Sequence, residues 1–239
     1  MYVLTLPDAA VGCYGPQRSE RGANVQKRAS DGEPANVREV FYAAYGSNLC
    51  AERFGCYLSG GRPPGSAHAH KGARDPRPAS TWRTLWVSGT LYFAGASRLW
   101  GGAPAFIDLD PAAQTEVALR AYKVTWGQLE DVTAQESARE TTLLELDPRT
   151  LVEGFSTVVG SGRYDRLACL GSIEAIPVVT LTAPWRLAEV TAAAPSLPYL
   201  ATLVRGLREA FDMGDDAIAD YLARSPGCTR ELVAAALTT

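Results

Sequence analysis

The first informative pattern along the chain is EVFYAAYGSNL, where Val40, Phe41 and Tyr42 form an apolar run that breaks at a Gly-Ser-Asn cluster and leads into CAERFGCYL. The run predicts a strand, the small polar cluster a turn, and the segment after it a helix. TLWVSGTLYFA (84–94), PAFIDLD (104–110) and EVALRAYKVT (116–125) predict further strands, the last with a start equally open to a helix. TLVEGFSTVVGSGRYDRLACLG and AIPVVTLTAP extend the β signal, with β-branched residues between Gly and Pro breaks. Helices are predicted over 126–139, 197–211 and 215–223; the third follows an Asp215 cap and places Ile218, Tyr221 and Leu222 on one face. No repeat is visible. Several strands, scattered helices and no regular βαβ alternation predict an α+β fold with a mainly antiparallel sheet or barrel.

The segment over 14–36 is polar, rich in turn formers and poor in large aliphatics, and cannot bury enough surface to order itself. Residues 1–36 are therefore expected to form a flexible extension and 37–239 the folded domain. A second Pro/Gly-rich stretch, 60–80, has the length of loops that are functional or disordered, and could close as a lid. Composition adds little: 46% hydrophobic and 21% charged residues are ordinary for a soluble domain. A net charge of −3 without a Lys/Arg run points away from nucleic acid, and no window reaches the roughly 18–20 apolar residues of a membrane span. Five cysteines without tight pairing suggest free thiols and a cytoplasmic location. AVGC (10–13) has the look of a lipoprotein cleavage site, but Pro7 and Asp8 interrupt the apolar run and no basic segment precedes it. Oligomeric state is not readable.

TWGQLEDVTAQE carries the first candidate chemistry. Thr125 and Gln128 make a capping-box pattern, so a helix should begin at Trp126. Leu129, Val132, Thr133 and Glu136 then share a face, while Glu130 and Asp131 point elsewhere. A carboxylate among apolar neighbours has its charged form disfavoured and its pKa raised, which suits a general acid/base near neutral pH. The plainer reading is that Glu136 lies at the edge of the stripe and reaches water or pairs with an Arg. Likewise Gly46 could supply backbone N–H groups for an anion, or merely a positive φ with Ser47 or Asn48 capping the next helix.

YGSNL at Tyr45–Leu49, behind a hydrophobic strand, resembles the signature of the γ-glutamylcyclotransferase family. WGGAPAFIDLD (100–110), AYKVTWGQLEDVTAQE (121–136) and PSLPYLATLVRGLREA (195–210) resemble that family's glycine-rich segment and strand, its strand and glutamate-bearing helix, and its C-terminal helix over the pocket. The resemblance spans roughly 38–225. It implies a small, mainly antiparallel β-barrel with peripheral helices and a pocket at one end. The implied reaction is intramolecular aminolysis, with no metal or cofactor: the α-amine of a γ-glutamyl amide attacks its own γ-carbonyl, giving 5-oxoproline and a free amine. Glu136 would be the acid/base; Tyr45, Gly46, Ser47, Asn48 and Leu49 would hold the anionic end or the oxyanion, and Tyr199 the glutamyl head. The chain departs from the family at Leu143, where many members carry a tyrosine, and in its long 60–80 stretch, which suggests a different leaving amine.

Other signals point elsewhere. His68 and His70 lack a third metal ligand nearby. Cys50, in the first helical turn, could serve with His68 as the nucleophile of a thiol hydrolase or amidotransferase, although no orienting third group follows from spacing. A binding module without catalysis, sensing a γ-glutamyl metabolite or a partner, is the other alternative. Cys50 and Cys56 lack zinc-knuckle spacing. Glu52 and Arg53 are expected on the helix surface, and Trp82, Trp86 and Trp100 in the core or pocket wall. GSGRYD (160–165) reads as a hairpin turn, since no Gly-Lys-Ser/Thr ending follows.

Overall fold

The structure, a computed structural model, describes residues 2–4, 38–63, 66, 69–97, 99–140 and 144–239. Its strands are β1 (Tyr2–Leu4), β2 (Glu39–Ala44), β3 (Thr81–Phe93), β4 (Ala105–Leu109), β5 (Glu116–Thr125), β6 (Ser156–Val158), β7 (Arg166–Ile173) and β8 (Ile176–Thr182). Its helices are α1 (Ala51–Ser59), α2 (Trp126–Glu136), α3 (Leu197–Phe211), α4 (Asp215–Ala223) and α5 (Arg230–Leu237). The segment 116–125, open between strand and helix in sequence, is strand throughout. Helix α5 was not anticipated.

The sheet runs β1-β3-β5-β2-β8-β7-β6, with β4 on β3. The fold is α+β as expected, but the sheet is mixed: β1 lies parallel to β3 and β2 parallel to β8, the other pairings being antiparallel. The parallel β2–β8 pairing is long-range, so hydrophobic alternation carried no trace of it. Tyr2–Leu4 fall inside the stretch read as a flexible extension, yet pair with Leu85–Val87 as an extended strand. Residues 5–37 lie outside the described ones. The circle from β4 to β8 is joined through a side chain: Ile107 N–H donates to Thr182 Oγ1 at 3.2 Å, and the hydroxyl donates to Ile107 O at 2.7 Å.

Strand β2 sits between β5 and β8 and is buried on both faces. Its period-2 alternation sends Phe41 and Ala43 into a core built with α3, α4 and α5, around Leu203, Leu207, Ile218, Leu222 and Val233. Val40, Tyr42 and Ala44 enter a second core with α1 and α2, around Phe54, Leu58, Leu129 and Val132. The chain leaving β2 therefore emerges between two helical layers, and the 46–50 turn begins there.

Helix α3 seals that turn. A Cβ on Gly206 would stand 2.5 Å from Leu49 Cβ and 2.6 Å from Cys50 N, closer than real contacts allow. Glycine is needed here for close approach, since backbone faces backbone. Gly206→Ala is expected to lower unfolding stability by about 1–3 kcal/mol through overpacking, measured as a fall in the urea midpoint at unchanged slope; a neutral result would show that the helix can retreat from the turn at no cost.

Candidate active site

The turn after β2 is a short 3-10 segment, Ser47–Leu49, in which Leu49 N–H and Cys50 N–H bond back to Gly46 O and Ser47 O. Gly46 has φ −99°, so no positive φ is required of it. Its glycine is explained by Tyr199, whose hydroxyl would sit 3.0 Å from an added Cβ. Neither Ser47 nor Asn48 caps α1. The cap comes from α3, where Glu209 Oε2 accepts Ala51 N–H at 3.0 Å and, at 3.2 Å, the guanidinium of Arg120 from β5. Arg120 also donates to Leu49 O, and Tyr122 to Asn48 O.

So held, the turn presents Tyr45, Gly46, Ser47 and Asn48 to a cavity of about 530 Å³, where Glu136 and Tyr199 join them. Leu49 is the exception among the expected site residues: it is fully buried under Gly206 and does not line the cavity. Tyr45 spends its hydroxyl on Leu181 O at 2.9 Å, making it a wall. Tyr199 Oη accepts Ala105 N–H at 3.0 Å and a further bond from Ser47 N–H. The expected backbone anion cradle is thus largely spent on the fold.

Helix α2 starts as its capping box demands, with Gln128 N–H donating to Thr125 Oγ1 and Thr125 N–H to Gln128 Oε1. Eleven residues on, it ends at Glu136, half-buried because it faces the cavity, below fully buried Leu129, Val132 and Thr133. Asn48 Nδ2 donates to Glu136 Oε1 at 2.9 Å. Burial raises the Glu136 pKa above the ordinary carboxylate range; the nearby Arg53 charge and hydrogen bonds from Tyr57 and Asn48 pull it partly back. Glu136 in turn pushes the Tyr42 and Tyr57 hydroxyls upward, secondary to their own burial. Asp131, expected to point elsewhere, is buried and accepts from Arg74, tying the 60–80 stretch to α2.

Arg53 corrects the expectation of a surface residue. It is 2% exposed, and α1 turns it inward with Phe54, Tyr57 and Leu58. Spacing of i, i+1, i+4 and i+5 could have shown this, had a cation been admitted to the apolar face. Its Nε donates to Ser47 Oγ at 2.8 Å and its NH2 to Tyr57 Oη at 3.4 Å, while its carbon centre lies 4.8 Å from the Trp100 ring. NH1 has no hydrogen-bond partner among the described residues. A desolvated cation–π contact returns about 2 kcal/mol, against several kcal/mol for removing a guanidinium from water. The Ser47 and Tyr57 hydrogen bonds and the nearby Glu136 carboxyl share in offsetting the remainder.

Tyr57, His70, Gln135, Arg163 and Tyr164 also line the cavity and were not anticipated. Arg163 and Tyr164 belong to the 160–165 turn, which is fastened from below by buried Asp165. That carboxylate accepts from Ser137, from Arg139 at 2.5 Å and from Gly162 N–H at 2.5 Å, joining the turn to the exit of α2. Trp100 is cavity wall, Trp86 is core edge against Phe211 and Tyr221, and Trp82 is 40% exposed over Arg120. Cys50 is buried, its thiol directed at Glu209 Oε1, and it does not line the cavity. His68 and Leu143 lie outside the described residues. Among the described residues no group of three or more His, Cys, Asp or Glu gathers to hold a metal ion, and no helix is long and apolar enough to cross a membrane.

No protein-family model matches the chain. It is 27% identical over 206 residues to histone deacetylase 5 of Arabidopsis thaliana, an alignment taking in 78% of this chain and 31% of that protein, so the chain spans less than a third of that relative's length. Among solved structures it is similar to a gamma-glutamyl cyclotransferase, with 17% identity, a TM-score of 0.47 and coverage of 84% of this chain and 99% of the other. It is similar to an uncharacterized protein of Homo sapiens to the same degree, with 18% identity, a TM-score of 0.47 and the same coverage.

The raised Glu136 pKa carries a stability consequence. The folded carboxyl binds its proton more tightly than the unfolded chain does, so its contribution is full below the unfolded pKa and is lost as pH rises through the folded one. Glu136→Gln, neutral throughout, should melt higher than the native chain near pH 8, with the gap closing towards about pH 4. A gap of constant size across that range would show that the carboxyl is not shifted upward.

Proposed function

We propose that the protein is a cofactor-free γ-glutamylcyclotransferase-like enzyme, converting a γ-glutamyl amide into 5-oxoproline and a free amine. The observation that carries this reading is that one cavity is lined by both the Glu136 carboxyl, held by Asn48 at 2.9 Å, and the inward-turned Arg53. An α-amino acid head presents the matching charges, a carboxylate for Arg53 and an ammonium for Glu136. The resemblance of the YGSNL stretch and the glutamate-bearing helix supports the same reaction class.

In this mechanism Glu136 takes a proton from the α-ammonium. The freed nitrogen attacks the γ-carbonyl carbon, forming the ring C–N bond and an oxyanion. Tyr199 Oη, already accepting from Ala105 N–H, keeps its own proton to offer that oxyanion. Its pKa, pushed up by burial to about 12, keeps it protonated at neutral pH. Protonated Glu136 then gives its proton to the departing nitrogen as the exocyclic C–N bond breaks. The carboxylate collects the proton shed by the ring nitrogen and loses it with the departing amine, which leaves as ammonium. Asn48 keeps the carboxylate on its mark through the 2.9 Å bond. Tethering of the nucleophile supplies up to about 7–11 kcal/mol when the chain is well folded, so the enzyme's work is posture and proton movement.

The buried Cys50 thiol, turned from the cavity towards Glu209, weighs against the thiol alternative. The test is incubation with a panel of γ-glutamyl amines and detection of 5-oxoproline by mass spectrometry. The native chain should give product, Glu136→Gln should lose about 10²–10⁴-fold in kcat, and Cys50→Ala should keep its rate. Equal turnover by native chain and Glu136→Gln would make Glu136 structural. Saturable binding without turnover would instead indicate the sensing module.

A further inference from the structure

The 160–165 turn buries a carboxylate that a simple hairpin has no use for. Asp165 is fully buried, and its side chain accepts from Gly162 N–H at 2.5 Å within the turn. Its other bonds reach out to Ser137 and to Arg139, the latter at 2.5 Å. A Cβ on Gly160 would collide with both Asp165 Oδ2 and Arg139 NH1, so the first glycine of the motif makes room for this ion pair. Burying a charge pair is a weak route to stability. Its place in the fold is better explained by what it holds.

What it holds is the end of the helix that carries Glu136. Glu136 is the last residue of α2, so its carboxyl stands at the negative end of the helix dipole, which disfavours a carboxylate there. Ala138, two residues on, has φ 51°, a left-handed conformation that glycine takes freely and alanine resists. Backbone closes the exit through Arg139 N–H to Ala134 O at 2.8 Å and Ala138 N–H to Gln135 O at 3.3 Å. Asp165 bonds the side chains on either side of Ala138, and so keeps the exit in a conformation its own sequence disfavours. Helix ends fray when nothing fastens them, and Glu136 belongs to the turn that would go first. The hydrogen bonds from Asn48 and Tyr57 hold its carboxyl only at the tip.

Resting on the cyclotransferase reading, we propose that Asp165 is a positioning residue for Glu136. By clamping Ser137 and Arg139 around the strained Ala138, it fixes the point from which Glu136 reaches into the cavity. The same carboxylate seats the turn that brings Arg163 and Tyr164 to the cavity, so the acid/base and part of the facing wall share one anchor.

The experiment measures kcat on the γ-glutamyl amide that the native chain turns over fastest, at a temperature where circular dichroism shows every variant folded. Ser137→Ala cuts one link to the helix exit and leaves the Asp165 charge in place; Asp165→Asn removes the charge as well. The expected losses in kcat are about 5–10-fold and about 10–100-fold, the scale of a displacement of about 1 Å. Adding Ala138→Gly to Ser137→Ala should return kcat to within about twofold of the native value, because glycine holds the left-handed exit without the clamp. Variants that melt lower but turn over at the native rate would make Asp165 merely structural. A loss that Ala138→Gly leaves untouched would overturn the role, since the effect would not pass through the helix exit.

If the native chain forms no 5-oxoproline from any γ-glutamyl amide, the cyclotransferase reading fails separately, and the position of Glu136 is read without turnover. Its side-chain carboxyl NMR signal, assigned with Glu136→Gln, should titrate above the ordinary carboxylate range in the native chain. In Ser137→Ala the midpoint should fall towards that range as water reaches the released carboxyl. The groups that face it, Arg53, Tyr42, Tyr57, Tyr164 and Tyr199, are the same in both chains. A midpoint that stays put would sink the proposal.

Discussion

The seating of the 46–50 turn between β5 and α3 is the constraint on which the site depends. Gly206 lets the α3 backbone come against Leu49 and Cys50, and Glu209, one helical turn away, accepts both the first N–H of α1 and the Arg120 guanidinium. Arg120 in turn reaches back to Leu49 O. Strand, turn and two helices are thereby joined through a few short polar links inside an apolar setting. Once Leu49 is sunk into the core, Ser47 and Asn48 have only the cavity side open to them, and their side chains meet Arg53 and Glu136.

That geometry explains the electrostatic character of the cavity. One carboxyl, one deep guanidinium and a ring of aromatic walls share a space from which much of the solvent is excluded, so each charge acts strongly on its neighbours. Burial pushes the Glu136 pKa up while Arg53 draws it partly down, and burial, helped by the same cation, lowers the His70 pKa. The tyrosines are mostly tied to backbone oxygens or amides: Tyr45 to Leu181, Tyr164 to Ala105, Tyr199 from Ala105. They are rigid walls rather than free titrating groups, and burial raises the pKa of each.

Two buried aspartates do comparable work further out. Asp131 fixes the 60–80 stretch to α2 through Arg74, and Asp165 fixes the 160–165 turn to the end of α2 through Ser137 and Arg139. Two of the irregular segments that deliver cavity residues are therefore anchored to the helix that carries Glu136.

Much of this protein was legible in local pattern. The apolar run before Gly46, the Thr125–Gln128 capping box and the 3.6-residue phase of α2 identified the turn and placed Glu136 inward, because those are properties of neighbouring residues along one element. The α3 and α4 boundaries were legible for the same reason. Arg53 and His70 were not. A charged residue on a helix and a histidine in a Pro/Gly-rich stretch ordinarily face water; Arg53 is turned in on the apolar face it shares with Phe54, Tyr57 and Leu58 and against Trp100, and His70 against the ring of Tyr57. The parallel pairing of β2 with β8 and the loss of Leu49 to the core were hidden likewise, since both depend on segments far apart in the chain. Periodicity reports which face of an element is buried; which elements share that burial, and which polar atoms are left unspent when they do, is decided only by tertiary packing.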